Sequence, residues 1–443
     1  MKLYNYLTRK VEEFTPISAP NVGMYTCGPT TYDFVHIGNL RTFVFEDILQ
    51  RVLERNGYSV KRVMNVTDID DKIIKGAKVS GLTSIEEFSK PFEKAFFEDL
   101  RNLNIKSANV YPKATEHVGQ MIKYIQELLK KDLAYIEKDG SVYFDISEFP
   151  GYGTLSQIDK RNLKTGTRIL SDEYSKDDIQ DFALWKSVEA DEVGYDSPWG
   201  RGRPGWHIEC SVMSQEYLGD SLDIHGGGVD LIFPHHENEI AQSEGKTGKK
   251  FSNFFVEGEH LLVEGKKMAK SAGNFYKLKD LKVDPLALRY LFLTAHYRDQ
   301  LNFTQESLSG ARNALNNLRE IIRQWDEPNI GCVQFEQDFM NAINNDLNMP
   351  QAVAIMWDMI KSDNPTSSKA KSVLEMDKIL GFRLDLYLGK SLEVSENVKK
   401  LMKEREVARN KGDFKGADTI RDKIIELGYE IEDTPTGPRL KNN

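Results

Sequence analysis

The chain has 443 residues, of which 40% are apolar and 29% charged, a balance that predicts more than one packed core and excludes a disordered chain. A net charge of -9 argues against a protein that coats nucleic acid generally, though not against a specific RNA contact on a local basic face. No run of about 18 apolar residues suits a membrane span, the first residues lack a secretory pattern, and three widely spaced cysteines fit a reducing, cytoplasmic setting.

Residues 1–21 are polar and proline-containing, and predict a lead-in to the first strand. That strand, Val22 to Thr26, breaks at Cys27-Gly28-Pro29. His36-Ile37-Gly38-Asn39 then enters an amphipathic helix whose Leu40, Phe43, Val44, Ile48, Val52 and Leu53 share one face before Asn56-Gly57 stops it. A thiol and an imidazole thus lie on a loop joining a strand to a helix, where parallel α/β sheets place ligands. A second strand, Ser59 to Val66, ends in Thr67-Asp68-Ile69-Asp70-Asp71-Lys72. Strand, helix and strand predict a βαβ unit and a parallel sheet. From 84 to 135 the spacing is helical.

Between 138 and about 200 the rhythm changes: strand-like Ser141-Val142-Tyr143-Phe144 is followed by glycine-rich and charged loops, an insertion that splits a larger α/β domain. The pattern resumes at Trp206. Leu222-Asp223-Ile224 runs into His225-Gly226-Gly227-Gly228, Pro234 is expected to open a helix through about Glu244, and a strand pair is expected over Phe254 to Val263. The loop Gly265-Lys266-Lys267-Met268-Ala269-Lys270-Ser271 follows. Beyond about 300 the chain is helical by periodicity. From about 390 it predicts a helix rich in lysine and arginine (399–411), a second helix and a β-like tail, Tyr429 to Leu440.

Several residues can carry chemistry. Cys27 and Cys210 lie near Gly, Pro, His and Glu rather than inside apolar runs, and His235 and Glu239 project from one face of a predicted helix. Two thiolates, an imidazole and a carboxylate satisfy tetrahedral Zn²⁺. Pattern alone equally allows core cysteines, since no close Cys-x-x-Cys pair is present. Cys332, without such neighbours, is read as structural. Lys267 and Lys270 can converge on a polyphosphate or form a solvated cluster. His36 and Asn39, at a helix amino terminus, can donate to the same phosphates or act as caps. The glycines after His225 let backbone approach a flat ligand, or make a tight turn.

The ordered blocks are more specific than any one of them. His36-Ile37-Gly38-Asn39 and Lys267-Met268-Ala269-Lys270-Ser271 resemble the two signatures of class I aminoacyl-tRNA synthetases, usually His-Ile-Gly-His and Lys-Met-Ser-Lys-Ser. Cys27-Gly28-Pro29-Thr30, Asn65 to Lys72, Gly202 to Cys210, Asp223 to Gly228 and Phe233-Pro234-His235-His236-Glu237-Asn238-Glu239 resemble the cysteinyl-tRNA synthetases. The resemblance is dense from about 22 to 280. Asn39 and Ala269 depart from the usual signatures; an amide still donates a hydrogen bond, and both lysines remain.

The resemblance implies an α/β protein with a Rossmann-type parallel-sheet catalytic domain at 1–300 carrying a connective insertion (about 105–200). An all-α helical bundle at 301–390 and a small α+β anticodon-recognition domain at 391–443 would follow. It implies one zinc per chain on Cys27, Cys210, His235 and Glu239, with Mg²⁺ accompanying ATP. Cysteine would be activated as cysteinyl-adenylate and transferred to cysteine tRNA, by a monomer that needs no membrane. His36, Asn39, Lys267 and Lys270 would act on the phosphates, with His225 and Gly226 beside ATP. Thr67, Trp206, His207 and Asp230, with Cys27, would surround the amino acid. Coordination of the substrate thiolate to zinc would refuse serine, where a hydrophobic pocket separates near-isosteres by only about 10²-fold, so no editing domain is expected.

Three other readings are weighed. A cysteine ligase of the mycothiol pathway needs no anticodon module. A zinc hydrolase leaves the two-lysine loop unexplained, and a non-catalytic RNA-binding protein does not need the strand-loop ligands together. In the last helices Lys399, Lys400, Lys403, Arg405, Arg409, Lys411 and Lys415 could meet RNA backbone or form a solvated face.

Overall fold

A computed structural model describes residues 1–158, 163–169, 179–268, 273–390, 392, 394–434 and 437–442. The amino-terminal residues, expected only as a lead-in, form an antiparallel hairpin of β1 (Lys2–Asn5) and β2 (Lys10–Glu13). Asn5 ties it to the body of the protein: its Oδ1 accepts from the Phe255 amide at 3.2 Å and its Nδ2 donates to the Asn253 carbonyl at 2.9 Å. A sheet edge that would otherwise expose unpaired backbone is thereby covered.

β3 (Asn21–Thr26), α1 (Ile37–Arg55) and β4 (Ser59–Met64) make the expected βαβ unit, with β3 and β4 parallel. The helix differs from expectation on its polar side. Arg41, Glu46, Asp47 and Gln50 are buried along with the apolar face, so the helix is enclosed rather than half-solvated. α2 (Asp71–Val79) and α3 (Ile85–Asn102) follow, and α4 (Val118–Lys130) comes only after an irregular stretch. β5 (Ala134–Ile136), β6 (Val142–Phe144), β7 (Leu163–Ile169), β8 (Ile179–Ser187) and β9 (Gly202–Pro204) then form a separate mixed sheet.

The chain returns to the first sheet through α5 (Trp206–Leu218), β10 (Leu222–Gly228), α6 (Glu237–Thr247) and β11 (Ser252–Gly258). Its order is β11-β10-β3-β4, with every pairing parallel. From β3 the chain moves to β4 on one side and comes back to β10 on the other. The winding reverses between β3 and β10, which opens a crevice at their carboxyl ends. Cys27 and Gly228 stand there.

Two local expectations are corrected. Pro234 does not open α6, because Phe233 before it is extended (φ -138°, ψ 131°) and regular helix begins at Glu237; a residue preceding proline is pushed out of the helical region. The strands between 254 and 263 do not pair with each other. β12 (Leu261–Val263) joins a second small sheet with β13 (Lys266–Lys267) and, beyond α7 (Pro285–Leu293), with β14 (Leu301–Phe303).

The chain divides into two compact units, Met1–Thr304 with Met340–Ala352, and Gln305–Phe339 with Val353–Asn443. After β14 the regular elements are α8 (Gln305–Ile322), α9 (Val333–Asn344), α10 (Met349–Lys361), α11 (Thr366–Leu380), α12 (Glu396–Asn410), α13 (Phe414–Glu426) and the antiparallel pair β15 (Tyr429–Thr434) and β16 (Gly437–Asn442). Val398, Ile424 and Ile431 form a small core among the last four. The lysine- and arginine-rich helix is not uniformly free. Arg405 is buried and donates to Asp433 Oδ1 at 2.9 Å, and Arg409 reaches Asp433 Oδ2 at 2.6 Å. Lys399 pairs with Glu396 one turn away. Among the described residues no helix is long and apolar enough to cross a membrane.

Candidate active site

The loop after β3 lies hard against the loop after β4. The Gly28 amide donates to Asn65 Oδ1 at 2.9 Å, and a Cβ on Gly28 would stand 1.8 Å from the Asn65 carbonyl oxygen, so only glycine fits. This approach holds Cys27 at the head of the crevice, its amide donating to the Gly226 carbonyl of β10 at 3.3 Å.

Around Cys27 the structure brings together all four expected metal ligands. Cys27 and Cys210 sulfurs are 4.0 Å apart, and His235 Nε2 stands 3.2 Å from Glu239 Oε1. One donor atom from each residue falls within 4.8 Å of every other, and all four residues are buried. Among the described residues Glu239 Oε1 makes no hydrogen bond, its 3.2 Å approach to His235 Nε2 included, an unusual state for a buried carboxylate. Burial pushes the Cys27 and Cys210 thiols upward, Cys27 most, with Cys210 and Glu239 adding to it. Burial also holds His235 neutral, the form that ligates. Soft sulfur donors, a neutral imidazole and an unpaired carboxylate oxygen fit a zinc ion.

A second set, Cys27, His225, His236 and Glu239, also converges. It fits less well: Glu257 accepts from His236 Nδ1 at 3.0 Å and, against the opposing effect of burial, raises that imidazole. His225 Nε2 already donates to Glu239 Oε2 at 2.9 Å. These two histidines and Glu257 were not anticipated around the donor group. The two histidines were signalled only by proximity in the sequence to Glu239 and to the triple glycine, and Glu257, 18 positions past Glu239, by nothing.

Thr67 and His207 stand behind the crevice rather than in its wall. Thr67 Oγ1 donates to Glu209 Oε2 at 2.7 Å and accepts from Asn65 Nδ2 at 3.2 Å. His207 Nδ1 lies 2.9 Å from His235 Nδ1, and the Trp206 ring covers His235 at 4.2 Å between centroids. Trp206 and Asp230 do reach the wall. They share a cavity of about 270 Å³ with Cys27, Lys72, His36 and Asn39.

His36 and Asn39 cap α1 reciprocally: the Asn39 amide donates to His36 Nδ1 at 3.1 Å and the His36 amide to Asn39 Oδ1 at 3.2 Å. The pair is a cap in the structure; capping spends Oδ1 and leaves the Asn39 NH₂ as a donor group. A smaller cavity of about 120 Å³ joins His36 and Asn39 to Asp230, His260 and Lys267. Lys270 lies outside the described residues. His225 and Gly226, expected beside ATP, line neither cavity. His225 is buried between Glu239 and the Phe255 ring, because its position in β10 directs it into the donor group.

Comparison with known proteins agrees along the whole chain. Residues 13–313 match the tRNA synthetases class I (C) catalytic domain, and residues 392–437 match the cysteinyl-tRNA ligase anticodon binding domain. A cysteine–tRNA ligase of Chlamydia abortus is 47% identical over 99% of this chain and 97% of its own length. One from Brachyspira hyodysenteriae is 45% identical over 99% and 98%. Among solved structures, Mycobacterium tuberculosis methionyl-tRNA synthetase in complex with methionyl-adenylate aligns with a TM-score of 0.59 over 82% of this chain and 90% of its own, at 12% identity. Agrobacterium radiobacter LeuRS gives 0.60 over 84% and 85%, at 11%. The structural likeness establishes the class I fold. Kinship at nearly half of all positions, running through catalytic and anticodon-binding modules alike, goes further: the chain belongs to the cysteinyl-tRNA synthetase family.

Proposed function

We propose that the carboxylate of L-cysteine attacks the α-phosphorus of ATP in the larger cavity, releasing pyrophosphate and forming cysteinyl-adenylate. The terminal ribose hydroxyl of cysteine tRNA then takes the aminoacyl group. The observation that carries this reading is that one segment, Cys27 to His36, contributes both the sulfur-lined end and the helix-terminal end of a single cavity. Trp206 and Asp230 face the amino acid, with the Asp230 carboxylate suited to its ammonium group, while Thr67 and His207 brace the wall from behind. His36 and Asn39 meet the phosphates. Lys267, with Lys270, stabilises charge on the departing pyrophosphate, where preorganised cations are most effective; Mg²⁺ enters with ATP.

Cys27, Cys210, His235 and Glu239 would hold one zinc. Bound there, zinc supplies a soft acceptor for a thiolate that a serine hydroxyl does not match. We assign residues 1–300 to catalysis, with a connective insertion over about 105–200, 301–390 to a helical bundle and 391–443 to anticodon recognition, in a monomer working in the cytoplasm. The test is exchange of pyrophosphate into ATP by the zinc-loaded chain. Exchange with cysteine and none with serine is expected; absence of cysteine-specific exchange overturns the reading.

A further inference from the structure

Arg41 stands two residues past Asn39 on α1 and is buried, 4% exposed. A buried guanidinium ordinarily faces a carboxylate, yet among the described residues Arg41 hydrogen-bonds only backbone carbonyls. Nη1 donates to Glu259 at 2.9 Å and His260 at 2.8 Å, and Nη2 donates to His296 at 3.1 Å and Asp299 at 2.5 Å. Burial lowers its pKa to about 10 against the raising effect of Glu259 and Asp299, so it remains a cation at neutral pH.

The four carbonyls share a position. Glu259 and His260 lead into β12, and His296 and Asp299 lead into β14, its parallel neighbour. On its other side β12 pairs with β13, which carries Lys267. One planar fork therefore gathers the entrances of two strands and fixes them to the first turns of α1, whose start bears His36 and Asn39. Two further contacts run the same way. The Ile37 amide donates to the Tyr276 carbonyl at 3.0 Å, and a Cβ on Gly38 would lie 2.5 Å from the Met268 methyl carbon. The cavity of about 120 Å³ shared by His36, Asn39 and Lys267 is the gap these ties span.

We propose that Arg41 is a positioning residue for adenylate formation: by holding the entrances of β12 and β14 to α1, it sets the separation between His36 and Asn39 on one side and Lys267 on the other, so that both sides engage the same ATP phosphates. The inference rests on the phosphate role proposed above for those three residues. A lysine has no planar fork with which to hold four carbonyls, and a shift of about 1 Å in a positioned group costs about 10²-fold in rate.

The test compares wild type, Arg41→Lys and Arg41→Met as full-length, zinc-loaded protein in cysteine-dependent pyrophosphate exchange. For Arg41→Lys, kcat/KM for ATP is expected to fall about 100-fold while KM for cysteine stays at the wild-type value; Arg41→Met falls further. In a Lys267→Ala background Arg41→Lys should add little, because the group it places is gone. Equal losses toward ATP and cysteine, full additivity in that background, or an unchanged kcat/KM overturns the proposal. So does failure of both Arg41 variants to fold, which makes the contact a folding requirement only. Inactive wild type would instead overturn the reading of the site itself, and Arg41's role with it.

Discussion

Two buried charged clusters in the first unit follow opposite rules. Asp47 is fully satisfied: its Oδ2 accepts from Arg289 at 2.6 Å and Arg51 at 2.8 Å, and its Oδ1 accepts from the Lys106 amide at 2.8 Å. Around Glu239, by contrast, Glu239 Oε1, Glu257 Oε2 and His225 Nδ1 are buried without hydrogen-bond partners among the described residues, and two free thiols stand 4.0 Å apart. Both clusters bear the desolvation cost of burial; the first recovers it fully from its own members, the second only in part, through His225–Glu239 and His236–Glu257. Between these two clusters the difference is completeness of pairing, not burial or charge.

The strongest way to break that contrast is Asp47→Asn. It keeps the shape and removes the charge facing two guanidinium groups, so the unfolding free energy in denaturant should fall by about 3–5 kcal/mol. Exchange activity of the folded fraction should hold; a loss of the size of an exposed pair, below about 1 kcal/mol, would mean that the brace is not one. Cys27→Ala tests the other cluster. It should strip zinc from the purified protein and lower cysteine-dependent exchange by more than the roughly 100-fold that a supporting residue costs, while the metal-free protein melts close to metal-free wild type. A variant retaining one zinc per chain would erase the distinction.

His225→Asn sharpens the boundary between the donor group and the nucleotide end. Zinc affinity should weaken about 10–100-fold with KM for ATP unchanged; the opposite pattern would return His225 to the nucleotide. The smallest effect is one of pH. Burial alone would raise the Asp47 carboxyl, but Arg289 and Arg51 outweigh it and hold it below the ordinary 3.8. Below that value the unfolded chain takes up a proton that the folded chain still refuses, so stability falls as pH falls. The stability gap between wild type and Asp47→Asn should be flat near neutrality and narrow below 3.8; a gap that widens toward acid would reverse the sign.

Much of the site was legible because it is written in short blocks. Cys27 follows a recognisable strand, and His36 and Asn39 open a helix with clear apolar periodicity. His235 and Glu239 were paired by helical spacing, and they do meet, although α6 begins only at Glu237. Arg41, Glu46 and Asp47 were not legible. They occupy the polar side of an amphipathic pattern, and periodicity says which side is apolar without saying whether the other side meets water. The contact of His225 with Glu239 was not legible for a related reason: triple glycine advertises a flexible backbone, but not the direction of the side chain that precedes it.

The sequence by itself determined the local grammar: strand, helix and strand in order, the cap on α1, the residue types able to hold a soft metal, and the kinship those blocks imply. Only the tertiary structure decided the pairings that no block announced, bringing Asp47 to Arg289 over 242 positions, whereas the grouping of Cys27 with Cys210 over 183 was already implied by the resemblance. The physical reason is one of range. Propensity, capping and periodicity act within a few residues, whereas the pairing of buried charges depends on which chain segments loop closure and packing bring together. That is why the same helix could be predicted as a helix and still conceal both the brace at Asp47 and the fork at Arg41.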